Sequence, residues 1–109
     1  MLKRDLKLTE EDKAWAIDVK TRDGWMCPVC TTLGMVSTAR LNAHHLIVRE
    51  NHETKFDRRN GLSLCPKHHF FDRQISAHNN PLGLFFWMEK YRSEQLEYCR
   101  QEMAKIVRS

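Results

Sequence analysis

Two short cysteine-led pairs constrain this chain most: Cys27-Pro28-Val29-Cys30 and, far downstream, Cys65-Pro66-Lys67-His68, with a doubled histidine, His44-His45, between them. A lone Cys-x-x-Cys arises in redox motifs and by chance. Two such half-sites can close a tetrahedral zinc shell, with each pair sitting on a tight turn so that both of its ligands reach one ion. Cys27, Cys30, Cys65 and His68 are therefore read as a structural zinc site. His69 is the rival for the fourth position. Successive helix residues point about 100° apart, so only one of the two histidines faces the zinc, and the two-residue gap of the first pair favours His68. His44, His45 and His69 are left over, and they make a zinc module a candidate enzyme.

At 109 residues the chain has room for one domain, 1–109. A core this small gains from a metal staple, to which zinc can contribute roughly 10–16 kcal/mol of apparent binding energy. A net charge of +4 and a pI near 9.0 favour polyanionic partners only mildly. Nothing in the sequence is apolar for long enough to span a bilayer, and Met1-Leu2-Lys3-Arg4-Asp5 lacks the apolar core of a signal peptide. The expectation is a cytoplasmic protein without a membrane partner. Three cysteines in metal spacing, with Cys99 isolated, fit a reducing compartment better than a disulfide framework.

Residues 1–8 read as a charged, weakly anchored lead-in. Thr9 then predicts a helix N-cap, followed by Glu10, Glu11 and Asp12 where the helix dipole favours acids. Trp15 and Val19 give that helix a core face, and Gly24 stops it just past Arg22. Alternation over Leu41 to Leu46 predicts a strand in which His44 and His45 point to opposite faces. Residues 48–60 read as a polar loop too hydrophilic for core. Gly61-Leu62-Ser63-Leu64 reads as a second strand pairing with the first, and Pro66 opens a helix carrying His68, His69 and Arg73. Beyond residue 80 the chain is helical: Pro81 opens one helix, apolar almost all round at Phe85-Phe86-Trp87, and Ser93 caps another with Leu96, Cys99, Met103 and Ile106 on one stripe. That stripe suits either a cover for the core or a dimer seam.

His44 and His69 are candidates to hold a divalent cation. His45, left uncoordinated, has an ordinary pKa of about 6.5 that suits it to take a proton from water. Asn60 is expected to accept the imidazole N–H of His45 through its side-chain oxygen and so fix the tautomer. Arg40, Arg49, Lys55, Arg58, Arg59, Lys67 and Arg73 surround these positions in sequence and can meet phosphates. Glu50, Glu53 and Asp57 are interspersed among them, so about half of this set reads as a solvated charged loop. His52 and His78 read as surface residues.

Taken together, His44-His45, Asn60 and Cys65-x-x-His68-His69 resemble the HNH nuclease family, in particular its zinc-stapled ββα-metal members of small phage and bacterial type. The likeness covers about residues 15–79, with 80–109 as a helical tail, and extends to Arg22-Asp23-Gly24-Trp25, Ala43 and Asn60-Gly61-Leu62. It implies an α+β fold: a treble-clef-like ββα-metal core with a structural zinc, flanked by helices from both ends. It also implies that His45 is the general base, Asn60 its orienting partner, and His44 and His69 ligands of one catalytic divalent cation (Mg²⁺, Mn²⁺, Ni²⁺ or Zn²⁺). The implied activity is metal-dependent endonuclease cleavage of double-stranded DNA, by nicking or double-strand cutting, with hydrolysis of the P–O3′ bond. Some relatives carry a further histidine one helical turn on, where this chain has Arg73, so the third protein ligand is open and His78 is the nearest substitute. Two other readings are a non-catalytic zinc module binding nucleic acid or protein, and a subunit of a phage packaging or recombination assembly. The first would bind through the same scaffold, and the second would dock through the C-terminal helices, where a homodimer or a phage or bacterial protein partner is also expected to engage.

Overall fold

Thr9 starts the folded chain with a capping box: its hydroxyl accepts from the Asp12 backbone N–H at 3.0 Å while the Asp12 carboxylate accepts from the Thr9 N–H at 2.9 Å. The computed structural model describes residues 8–108. The lead-in expected over 1–8 lies outside the described residues apart from Leu8, which is exposed. Helix α1 (Glu10–Arg22) ends as the sequence predicts, with Gly24 at φ 69° in the left-handed region that favours glycine. A short helix α2 (Pro28–Thr32) follows, with Cys27 at its N-cap and Pro28 in its first turn.

The sheet has two antiparallel strands, β1 (Asn42–His45) and β2 (Gly61–Leu64), in the register Asn42–Leu64, Ala43–Ser63, His44–Leu62 and His45–Gly61. Helices α3 (Pro81–Tyr91) and α4 (Ser93–Arg108) close the order, so the architecture is α+β with helices on both sides of the sheet in sequence. No helix among the described residues is long and apolar enough to cross a membrane.

Packing follows from the spacing of apolar positions. Leu62 and Leu64 of β2 are fully buried against Val29 of α2 and against Leu84, Trp87 and Met88 of α3, and the three paired cysteines lie inside this same cluster. Trp87 also donates its Nε1–H to the Thr32 hydroxyl at 2.8 Å, joining α3 to α2. The stripe on α4 is split: Leu96 and Cys99 are buried, whereas Met103 and Ile106 are exposed.

On the other side, α1 lies directly on the sheet because Gly61 has no side chain. A Cβ there would come within 2.7 Å of both Trp15 Cζ2 and Val19 Cγ2. The buried Asp23 carboxylate then ties three elements together. It accepts from Arg22 at 2.7 Å, from Arg92 at the α3–α4 joint at 2.8 Å, and from the Ser63 backbone N–H at 2.9 Å. A buried carboxylate is tolerated when its lone pairs are met in this way.

Candidate metal centres

One wide turn, Lys67–Phe71, feeds both clusters. It closes with the Asp72 N–H donating to the Lys67 carbonyl, five residues back, at 2.8 Å. Such wide turns concentrate at functional sites. Within this one, His68 turns into the core and His69 turns towards β1, which resolves the rivalry between them.

Cys27, Cys30, Cys65 and His68 converge, all four buried. His68 Nδ1 lies 3.7 Å from Cys27 Sγ, 3.4 Å from Cys30 Sγ and 3.6 Å from Cys65 Sγ, and the Cys30 and Cys65 sulfurs are 3.7 Å apart. Zinc bonds of about 2.3 Å to sulfur and 2.0–2.1 Å to nitrogen give tetrahedral edges of about 3.8 Å between sulfurs and 3.5 Å between sulfur and nitrogen. The cluster already has those dimensions. Burial pushes the Cys27 thiol up and Cys30 to about 12, and for Cys30 neighbouring thiolate charge adds to the rise. At Cys65 burial also raises, but hydrogen bonds from the His68 backbone and the other thiols outweigh it and the net shift is down. Three thiolates cannot crowd a dry site without a cation, and a soft divalent ion supplies that charge. This Cys₃His cluster can hold a structural metal such as zinc.

The second cluster is one that the sequence only half reveals. His44 on β1 and His69 on the turn come together as expected, with ring centroids 5.1 Å apart. His78, expected at the surface and named as the nearest substitute for a third ligand, is exposed and joins them at 5.2 Å from His44 and 4.8 Å from His69. It arrives because residues 72–80 fold back along the turn: the Ala77 N–H donates to the His68 carbonyl at 2.9 Å and the His78 N–H to the His69 carbonyl at 3.0 Å. Asp72 starts this return by accepting the Gln74 and Ile75 N–H groups at 3.0 and 2.8 Å.

The donor nitrogens of the three histidines lie within 4.8 Å of one another, and no carboxylate belongs to the group. Three donors leave at least one coordination position open, whereas the four donors of the first cluster fill a tetrahedral shell. His69 Nδ1 is buried without a hydrogen-bond partner, an arrangement that suits coordination. Burial, followed by repulsion from its histidine neighbours, holds His44 down to about 3, and burial and His78 hold His69 down to about 4. Both rings are therefore neutral at pH 7, with lone pairs available to a cation.

His45 points to the opposite face of β1 and stacks flat on Trp15, with centroids 3.8 Å apart and planes 8° from parallel. It is partly buried, and its charge is still felt at His44. Its Nε2 is 3.0 Å from the Lys55 carbonyl oxygen. A carbonyl only accepts, so Nε2 carries the hydrogen and Nδ1 keeps a basic lone pair. The pKa is not the ordinary 6.5: burial lowers it, against the opposing pull of the Lys55 carbonyl.

The expected contact between Asn60 and the His45 ring is absent. Asn60 is fully buried at the end of a turn, Arg58–Asn60, and its amide is used on backbone. Its Oδ1 accepts from the Ile47 N–H at 2.6 Å, while its Nδ2 donates to the Ile47 carbonyl at 3.0 Å and the Thr54 carbonyl at 3.2 Å. Asn60 thus staples the 46–60 loop, including the peptide next to the carbonyl that orients His45, and its effect on the imidazole is indirect. Thr54, in a loop expected to be all polar surface, is buried with it. Trp15 Nε1 completes the support by donating to the Asp57 carbonyl at 2.9 Å.

The basic residues divide. Arg49 pairs with Asp12 at 3.3 Å, Arg58 with Asp18 at 3.7 Å, Arg59 with Asp57 at 2.8 Å and Lys67 with Asp72 at 4.0 Å. Arg40, Lys55 and Arg73 have no carboxylate partner among the described residues. No protein-family model, curated protein or solved structure matches this chain.

Proposed function

We propose that this chain is a metal-dependent endonuclease of the HNH type, with a zinc-stapled ββα-metal core, and that it hydrolyses phosphodiester bonds of DNA. One observation carries the reading. Adjacent residues of one strand place an imidazole in a three-histidine cluster and another whose tautomer is fixed with Nδ1 basic.

His44, His69 and His78 would hold the cation. When bound, a divalent ion there supplies positive charge to offset the charge developing on the phosphate and the departing oxygen. His45 Nδ1 takes the proton from the attacking water, and the Lys55 carbonyl stabilises the resulting imidazolium through Nε2–H. Water oxygen bonds to phosphorus, the P–O3′ bond breaks and the departing O3′ takes a proton from solvent water, leaving a 5′-phosphate and a 3′-hydroxyl. Arg40, Lys55 and Arg73, without carboxylate partners among the described residues, are the cations most available to phosphates; Arg49, exposed beside its Asp12 contact, can exchange partners. Three imidazoles without a carboxylate favour Zn²⁺, Ni²⁺ or Mn²⁺ over Mg²⁺, which prefers oxygen ligands.

Supercoiled plasmid incubated with the protein across a metal panel tests this. The intact protein should nick DNA with added Ni²⁺, Mn²⁺ or Zn²⁺, and His45→Ala should lose roughly 10²–10⁴-fold in rate while retaining its zinc and its melting transition. Full nicking by His45→Ala, or nicking indifferent to the added ion, would overturn the proposal.

A further inference from the structure

The turn that supplies both clusters ends on two phenylalanines that the proposed hydrolysis leaves unused. Phe70 is 43% exposed and Phe71 is 71% exposed. Phe70 lies nearly parallel to His78, 5.0 Å away at 15°, and 4.1 Å from His69; Phe71 lies 5.8 Å beyond Phe70. The two rings therefore extend the three-histidine cluster outwards as a continuous aromatic array.

Their display is enforced by the backbone. Asp72 N–H to Lys67 carbonyl closes the turn, the returning strand of chain bonds His68 and His69, and Asn79 Nδ2 donates to the Phe71 carbonyl at 3.3 Å. Water is a poor neighbour for a phenyl ring, so two rings held outwards beside a candidate phosphate site call for a ligand with an apolar face. Arg73, exposed and without a carboxylate partner among the described residues, follows two positions later. A polymer offering flat aromatic faces and anions in regular alternation is a nucleic acid.

We propose that Phe71, backed by Phe70, stacks on an unpaired nucleobase next to the scissile phosphodiester, so that the site prefers DNA with a bulged or single-stranded segment over a fully matched duplex. This rests on the reading of the three-histidine cluster as the phosphate site, and it narrows the substrate of that site. In a matched duplex each base face is covered by its neighbours, and uncovering one costs free energy. A base that is already unpaired presents its face at no such cost.

The test uses the full chain with zinc retained and no added second metal, so that binding is read apart from cleavage. The probes are a matched duplex and the same duplex with a two-nucleotide bulge carrying 2-aminopurine. The bulged probe should bind more tightly, with its fluorescence quenched. Phe71→Ala and Phe71→Leu should each weaken bulge binding roughly tenfold and abolish the quenching, with little change on the matched duplex. Phe71→Trp should restore both, and Phe86→Ala, which removes an equally apolar exposed ring from α3, should change neither. Equal weakening on both probes, full restoration by leucine, or no effect of Phe71→Ala would overturn the proposal. Failure of plasmid nicking with quenching intact removes hydrolysis alone; nicking intact with Phe71→Ala indistinguishable from wild type removes the stacking alone.

Discussion

The two clusters begin on neighbouring residues and could hardly differ more. His68 closes a dry group of four buried donors at the spacing of a tetrahedral ion, whereas His69 belongs to a trio of imidazoles, two half-buried and one exposed. A closed Cys₃His shell leaves no position for a substrate, and such sites stabilise folds. A group of three histidines keeps a position open, as sites that act on ligands must. The chemistry of the donors sharpens the division: thiolates need the cation to exist in that pocket, while the neutral histidines are tolerable without one.

Removing a donor should therefore have opposite consequences at the two places. Cys27→Ser should produce the largest effect. Zinc contributes roughly 10–16 kcal/mol against a total stability of about 5–15 kcal/mol for an ordinary domain, so the variant should lose both its tightly bound zinc and its cooperative melting. A normal melt with the full zinc content would erase the distinction. His78→Ala should leave melting nearly unchanged, because the residue is exposed, yet weaken binding of the second ion roughly tenfold or more, the equivalent of about 1.4 kcal/mol. Calorimetric titration with Ni²⁺ reads this directly, and unaltered affinity would remove His78 from the cluster.

A smaller effect is expected at Asn60. Asn60→Ala leaves one N–H and two carbonyls of the loop short of a partner, at roughly 1–3 kcal/mol for each group that water cannot reach. Urea unfolding should show it, and Asn60→Asp should do no better, since a carboxylate cannot donate to the Ile47 and Thr54 carbonyls. The smallest shift is one of pH. Burial lowers the pKa of His45 from its ordinary value, so its base form predominates at neutrality. Nicking should change little from pH 8 to 7 and fall as acid protonates the ring at lower pH. An inflection above 7 would contradict the burial of His45.

Much of this was legible in the sequence, for identifiable reasons. The metal spacing marked all four donors of the closed cluster, and Thr9, Gly24, Pro66, Pro81 and Ser93 marked helix boundaries because their backbone preferences are local. Period-two alternation found both strands and separated His44 from His45. What stayed open or hidden is non-local. His78, named only as the nearest substitute for a third ligand, enters through backbone bonds from residues 77 and 78 to His68 and His69, which no side-chain pattern announces. Asn60 has the right identity but bonds to backbone, and the carbonyl of Lys55, which orients His45, is a group that every residue carries. Trp15 was readable as core, but not as the surface on which His45 stacks. That contact depends on Gly61, whose missing side chain lets the two helical residues reach the sheet.

The shared turn couples the two groups. A single peptide link joins the last donor of the inner shell to a member of the outer one, so the placement of His69 depends on an inner pocket that holds Cys65 and His68 together. A chain starved of zinc would then lose the placement of the outer trio as well as a stable body. Zinc supply would govern whatever ion the histidines hold.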